Sequence, residues 1–197
     1  VAGRVGDGVI VQLADPQIIK WVMETARAAA AEEGRDPDAL ECIVCAPSHL
    51  GDDIAHARDQ VRWFPAMVSN HVMDLIERYG YDSEIPAALT DFVKAREFYD
   101  YKDHSRVGAK HGEFVTDEIC DRFCVLGTPD QAVEKLKELE SIGVDQFDLY
   151  LMTEAGLITC LDARTGEVRY EGGRPPVATS FKSSLVAYGD RVLQTSE

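Results

Sequence analysis

The chain has 197 residues, 45% of them apolar and 28% charged, which is material for one ordinary domain or one domain with a small appendage. A formal charge of −15 excludes nucleic acid and anionic membranes as first partners, because a polyanion binder gathers Lys and Arg on one face. No run approaches the ~18 apolar residues that cross a bilayer, and the opening residues carry no apolar signal core, so a cytoplasmic protein is expected.

Along the chain, Gly8-Val9-Ile10-Val11 suits a short buried strand. Asp15 can cap a helix with Pro16 in its first turn, and Ile18, Ile19, Val22, Met23, Ala26 and Ala30 keep helical spacing until Gly34 stops the run. Cys42 to Pro47 reads as a second strand with Ser48 and His49 in the loop after it. Gly51-Asp52-Asp53 opens a helix that Pro65 must interrupt before it continues to Gly80, and a further helix is expected over residues 86–99. Residues 102–113 lack periodicity and read as a long mobile loop. A short helix spans about residues 117–123, and Thr128-Pro129-Asp130-Gln131 then supplies a capping box for the run Val133, Leu136, Leu139, which Gly143 ends. Gln146 to Met152 is the next strand. Strands alternating with helices imply parallel pairing, as in an α/β barrel or an open doubly wound sheet.

The pattern changes near Glu154 to Gly156. Beyond it Arg164, Arg169, Arg174, Lys182 and Arg191 balance Asp162, Glu167, Glu171, Asp190 and Glu197, so the whole negative charge lies in residues 1–154. Residues 155–197 read as a small β-hairpin segment of four short antiparallel strands. The division expected is 1–154 and 155–197.

Residues 1–153 resemble the C-terminal part of the luciferase-like monooxygenases, in particular the deazaflavin-dependent type. The resemblance rests on Ala2-Gly3-Arg4-Val5-Gly6-Asp7-Gly8-Val9-Ile10 and on Phe123-Cys124-Val125-Leu126-Gly127-Thr128-Pro129 followed by Gly143-Val144-Asp145-Gln146-Phe147. It implies a (β/α)8 barrel with a reduced flavin or deazaflavin at the C-terminal mouth. Because the segment is about half the family's length, a partial barrel with a C-terminal antiparallel β appendage is expected, as in a truncated or chimeric form with an impaired cofactor site. Residues 156–195 resemble one blade of a pyrroloquinoline-quinone-type β-propeller, through Gly156 to Val168; one blade closes no ring and carries no activity over.

Barrel chemistry gathers where strands end at their C-termini, which directs attention to Gln12–Asp15, to Ser48 and His49, and to Thr153 and Glu154. His49 is the candidate catalytic residue. Ser48, with Arg4, Gly3 and Arg106, is a candidate for holding FMN or a deazaflavin coenzyme. Arg106 sits in a basic loop cluster with His104, Lys110 and His111 that suits an anionic ligand. No metal is expected. Asp52, Asp53, His56 and Asp59 have metal-compatible spacing, but Arg58 and Arg62 among them favour ion pairs. His71 and Asp74 read as a buried pair. Of the five cysteines, Cys42 and Cys45 point to opposite faces of a strand and Cys120 and Cys124 share a helix face, so all four read as core thiols rather than metal ligands.

An incomplete barrel wall leaves strand edges and an apolar face open, so a homo-oligomer, most simply a dimer, is expected beside a small-molecule ligand. The leading reading is a flavin- or deazaflavin-dependent oxidoreductase. The alternatives are a non-catalytic oligomeric module, or a new hydrolytic or metal-dependent activity using His49 or His56. The sequence does not identify the substrate.

Overall fold

The computed structural model describes residues 1–79, 86–104 and 106–152 and, beyond them, four short strands. A one-turn helix α1 (Ala2–Val5) leads into strand β1 (Gly8–Val11), helix α2 (Pro16–Glu32) and strand β2 (Glu41–Leu50). Helices α3 (Ile54–Val61), α4 (Trp63–Tyr79), α5 (Ala87–Phe92) and α6 (Asp117–Phe123) follow. The chain then forms strand β3 (Val125–Gly127), helix α7 (Pro129–Ser141) and strand β4 (Gln146–Leu151).

Local chemistry explains the helix limits. The Asp15 carboxylate accepts the Ile18 N–H at 3.0 Å, and past the end of α2 Gly34 takes φ +70° while the Gly34 and Arg35 N–H groups close on the Ala31 and Ala30 carbonyls. Asp53 caps α3 through the His56 N–H, and Pro65 falls in the first turn of α4, where no N–H is needed. At α7 the full capping box forms: the Thr128 hydroxyl accepts the Gln131 N–H, and the Gln131 side-chain oxygen accepts the Thr128 N–H.

All pairings among β1 to β4 are parallel. The long strand β2 is the hub. Its first half pairs with β1 from Gly8↔Glu41 to Val11↔Val44, its middle with β4 from Ile43↔Gln146 to Ser48↔Leu151, and its end with β3 from Ser48↔Val125 to Leu50↔Gly127. A barrel wall would place β3 between β2 and β4 along their length. Here β4 pairs with β2 directly, because β3 is only three residues long and engages β2 at its tip. The expected α/β class with a parallel sheet is therefore met.

Cys42, Val44, Ala46, Val9 and Val11 share one face of the sheet with the apolar side of α2, and with Phe64, Phe123, Leu139 and Val144 they form the main core. The opposite face carries Ile10, Ile43, Cys45, Asp148 and Tyr150, and there Ile10 stays 64% exposed. Cys42, Cys45, Cys120 and Cys124 are all buried, as expected.

Several expectations need correction. Ser48 and His49 lie inside β2, not in a loop after it. The helix expected over residues 86–99 stops at Phe92, because Arg96 turns away to donate to Asn70 Oδ1 at 2.6 Å and to the Ser69 carbonyl on α4. His71 and Asp74 are exposed on α4 rather than a buried pair. The 102–113 stretch holds two short 3-10 turns, Tyr101–Asp103 and Lys110–Gly112, the second with a buried His111.

Beyond residue 152, β5 (Thr159–Leu161) pairs antiparallel with β6 (Val168–Glu171), and β7 (Val186–Tyr188) with β8 (Arg191–Leu193). Among the described residues these are two separate two-stranded sheets, not the four-stranded sheet a propeller blade requires, and that resemblance goes no further. The boundary expected at residues 154–156 and the turns between these strands lie outside the described residues.

Candidate functional site at the strand ends

The C-terminal ends of the parallel strands bring together Leu13 to Asp15 after β1, Ser48 and His49 at the end of β2, Gly127 and Thr128 after β3, and Met152 after β4. Backbone bonds fix this end: Met152 N–H to the Ser48 carbonyl at 2.8 Å, Gly51 N–H to the Gly127 carbonyl at 2.9 Å, and Ala14 N–H to the Phe123 carbonyl at 2.9 Å. Ser48 is 2% exposed between β3 and β4. His49 is half-buried, its ring edge-on to that of His56 from α3 with centroids 5.2 Å apart.

One strand-turn further out, a cleft of about 480 Å³ opens between the β2 and β3 ends, α3 and the start of α7. Gly51, Arg58, Asp121, Gly127, Thr128 and Lys135 help line it. Its two cations are spent within the chain. Arg58 binds the Asp121 carboxylate through Nε at 2.8 Å and Nη2 at 2.6 Å, and Lys135 Nζ donates to the Asp121, Arg122 and Cys124 carbonyls at 2.5 to 3.0 Å. Lys135 thereby satisfies carbonyls that α6 leaves open at its end, and burial lowers its pKa. Arg62 ties Asp117 at 2.6 Å, holding that carboxyl below its ordinary value. Within the Asp52–Asp59 stretch Arg58 and Asp59 are ion-paired and Asp53 caps α3, and among the described residues no three His, Cys, Asp or Glu side chains converge as metal ligands would.

Asp15 is the acid at this end that the spacing did not single out for more than capping. It is 2% exposed, and its second carboxylate oxygen accepts Arg122 Nε at 2.7 Å and Nη2 at 2.6 Å. Cys45, also missed as a partner, lies 3.1 Å from the Tyr150 hydroxyl and 3.7 Å from Asp148 Oδ2 on the open sheet face, and burial pushes its thiol up. No spacing rule links residues this far apart in the chain.

Three candidates fall elsewhere. Gly3 and Arg4 lie before β1, level with the start of β2, some seven residues or roughly 23 Å of strand from Ser48. Gly3 is a packing residue, since a Cβ there would run into the Ala26 carbonyl of α2, and Arg4 pairs with Glu32 and Glu33 at 3.5 Å. Arg106 pairs with Asp103 at 3.0 Å in its own turn, and no hydrogen bond or ion pair among the described residues links it to the strand ends.

The model of the family described as luciferase-like monooxygenase matches residues 1–146. The chain belongs to the luciferase-like monooxygenase family. It is 32% identical over 147 residues to a 5,10-methylenetetrahydromethanopterin reductase of Methanolobus tindarius, covering 74% of this chain and 42% of that protein. It is 28% identical over 147 residues to the enzyme of the same name from Archaeoglobus fulgidus, with the same coverage. Among solved structures, an F420-dependent secondary alcohol dehydrogenase in complex with an F420-acetone adduct superposes with a TM-score of 0.52 at 19% identity, over 76% of this chain and 38% of that one, a likeness of fold. The chain spans about two fifths of the length of the curated relatives it matches. No helix among the described residues is long and apolar enough to cross a membrane.

Proposed function

We propose that this chain works as a flavin- or deazaflavin-dependent oxidoreductase of the luciferase-like type, with FMN or a deazaflavin resting at the C-terminal ends of β1 to β4. The observation that carries the reading is the 32% identity to a methylenetetrahydromethanopterin reductase across the segment that forms the parallel sheet. Once bound, such a group supplies hydride transfer, while the protein orients it and shields it from water.

The side chains at the strand ends suit the ring end of that cofactor better than its phosphate. Ser48 offers a buried hydroxyl and His49 an imidazole that can hold or pass a proton at a ring nitrogen, whereas Arg58, Arg122 and Lys135 are engaged by Asp121, Asp15 and backbone carbonyls. These three cations at the strand ends are thus not free for the phosphate, and binding by this chain is expected to be weak. Titration with FMN and with F420, followed by cofactor fluorescence, is expected to give saturable quenching that Ser48→Ala weakens. His49→Gln is expected to leave binding in place and lower turnover at least about a hundredfold. No quenching of either cofactor at high micromolar protein would remove the proposal.

A second reading, an oligomeric module without catalysis, is favoured by the exposed Ile10 and by the outer edge of β1, which has no strand partner among the described residues. Self-association accompanied by no cofactor response would select it.

A further inference from the structure

His111 is 2% exposed in the 3-10 turn Lys110–Gly112, yet neither ring nitrogen has a hydrogen-bond partner among the described residues. A buried polar group left so has lost its hydration with nothing in exchange, and native folds seldom keep one without use. Tyr99 lies against the imidazole, with ring centroids 4.2 Å apart and planes 41° apart. The Tyr99 hydroxyl is 2.7 Å from His104 Nδ1, Tyr101 packs edge-on to Tyr99 at 5.0 Å, and the Arg96 guanidinium sits 5.4 Å over the Tyr99 ring. Arg96 in turn grips Asn70 of α4. Residues 96–104 and 106–112 are thus fastened to α4 by Arg96 and by an aromatic stack whose buried end is His111.

The charged surroundings of the imidazole are mixed. On its own segment Arg96 and His104 disfavour a proton there, while Asp100 and Asp103 favour one, and none of them bonds the ring. The packed helix α4 brings Ala66 against Gly112 and offers Asn70, a neutral group already bonded by Arg96. Arg62, just before α4, is held by Asp59, Asp117 and the Val115 carbonyl. A proton on His111 would meet no hydrogen-bond acceptor among the described residues.

We propose that His111 is a proton-operated latch: neutral, it seats Arg96, Tyr99 and its own 3-10 turn against α4, and on gaining a proton it leaves its socket and frees the Tyr99 stack. Burial sets the direction, pushing the docked imidazole below its ordinary value despite Asp100 and Asp103. The released segment regains the ordinary value of about 6.5, so it binds the proton more tightly than the docked one. Docking is then complete above about pH 6.5 and weakens as pH falls toward the lower docked value. Inside that window one proton raises the released population by up to about tenfold per pH unit.

Hydrogen exchange read by mass spectrometry tests this on the whole chain at about pH 7.5 and about pH 5.5, corrected for intrinsic rates. Opening of residues 96–112 should rise at least about threefold at the lower pH while β2 keeps its protection, and His111→Phe, which preserves the stack, should abolish the rise. Should that variant not fold, NMR titration of the wild-type His111 ring decides, with a native pKa below the ordinary value expected. Equal opening at both pH values, the same rise in His111→Phe, loss of β2 protection in parallel, or an ordinary native pKa would each overturn the latch.

Discussion

Asp15 does two jobs with one carboxylate: one oxygen caps α2 and the other binds Arg122 at the end of α6. The cap was legible because it acts three residues away. The ion pair was not, since nothing in a linear sequence marks a partner 107 positions on. Replacing Arg122 by Met should leave a buried carboxylate without its cation and lower stability by about 2–3 kcal/mol, less than for a fully buried pair because Arg122 is 28% exposed. Urea unfolding of Arg122→Met and of Asp15→Asn/Arg122→Met measures it, and the double variant should recover part of the loss. Cys42, Cys45 and Cys120 were readable as core residues from their strand and helix positions, while Cys124 is buried just past the end of α6 in extended backbone, not on the helix face expected. Cys120 is pushed up to about 11 by burial and Cys124 also upward, with Cys42 and Cys45 raised for the same first cause. Native protein at about pH 8 should therefore leave these four unlabelled by iodoacetamide, and mass spectrometry of labelled peptides would reveal the contrary.

At the scale of elements, α2 and α7 were legible almost to the residue, because cap, first-turn proline, apolar stripe and terminating glycine all agree. Thr128→Ala should cost about 1 kcal/mol, visible as a Tm lowered by a few degrees in a circular dichroism melt, since it removes the hydroxyl that accepts the Gln131 N–H. Elements set by tertiary partners were not legible. Strand β3 has three residues and too little pattern to show, α5 is cut short when Arg96 is drawn to Asn70, and β2 runs through Ser48 and His49 because β3 and β4 pair with its far end. That extension is why Ser48 is a buried strand residue: the loop-exposed serine that the spacing suggested would need the sheet to end at Pro47.

For the whole molecule, alternating strands and helices correctly implied a parallel sheet, but pairing order depends on which strands are long enough to hold an edge, and β2 outruns the rest. The consequence is a sheet with one face under α2 and the other presenting Ile10 beside a β1 edge that has no strand partner among the described residues. An exposed β-branched residue at an open edge invites pairing with a second copy, which is the basis for expecting a dimer. Because Ile10 is 64% exposed, Ile10→Lys should change the folding stability of a single chain by no more than about 0.5 kcal/mol while placing a charge at the proposed contact. Sedimentation velocity should then show wild type heavier than a monomer at micromolar concentration and Ile10→Lys as a folded monomer. A wild type that sediments as a folded monomer, or a variant that associates equally well, places the contact elsewhere or removes it.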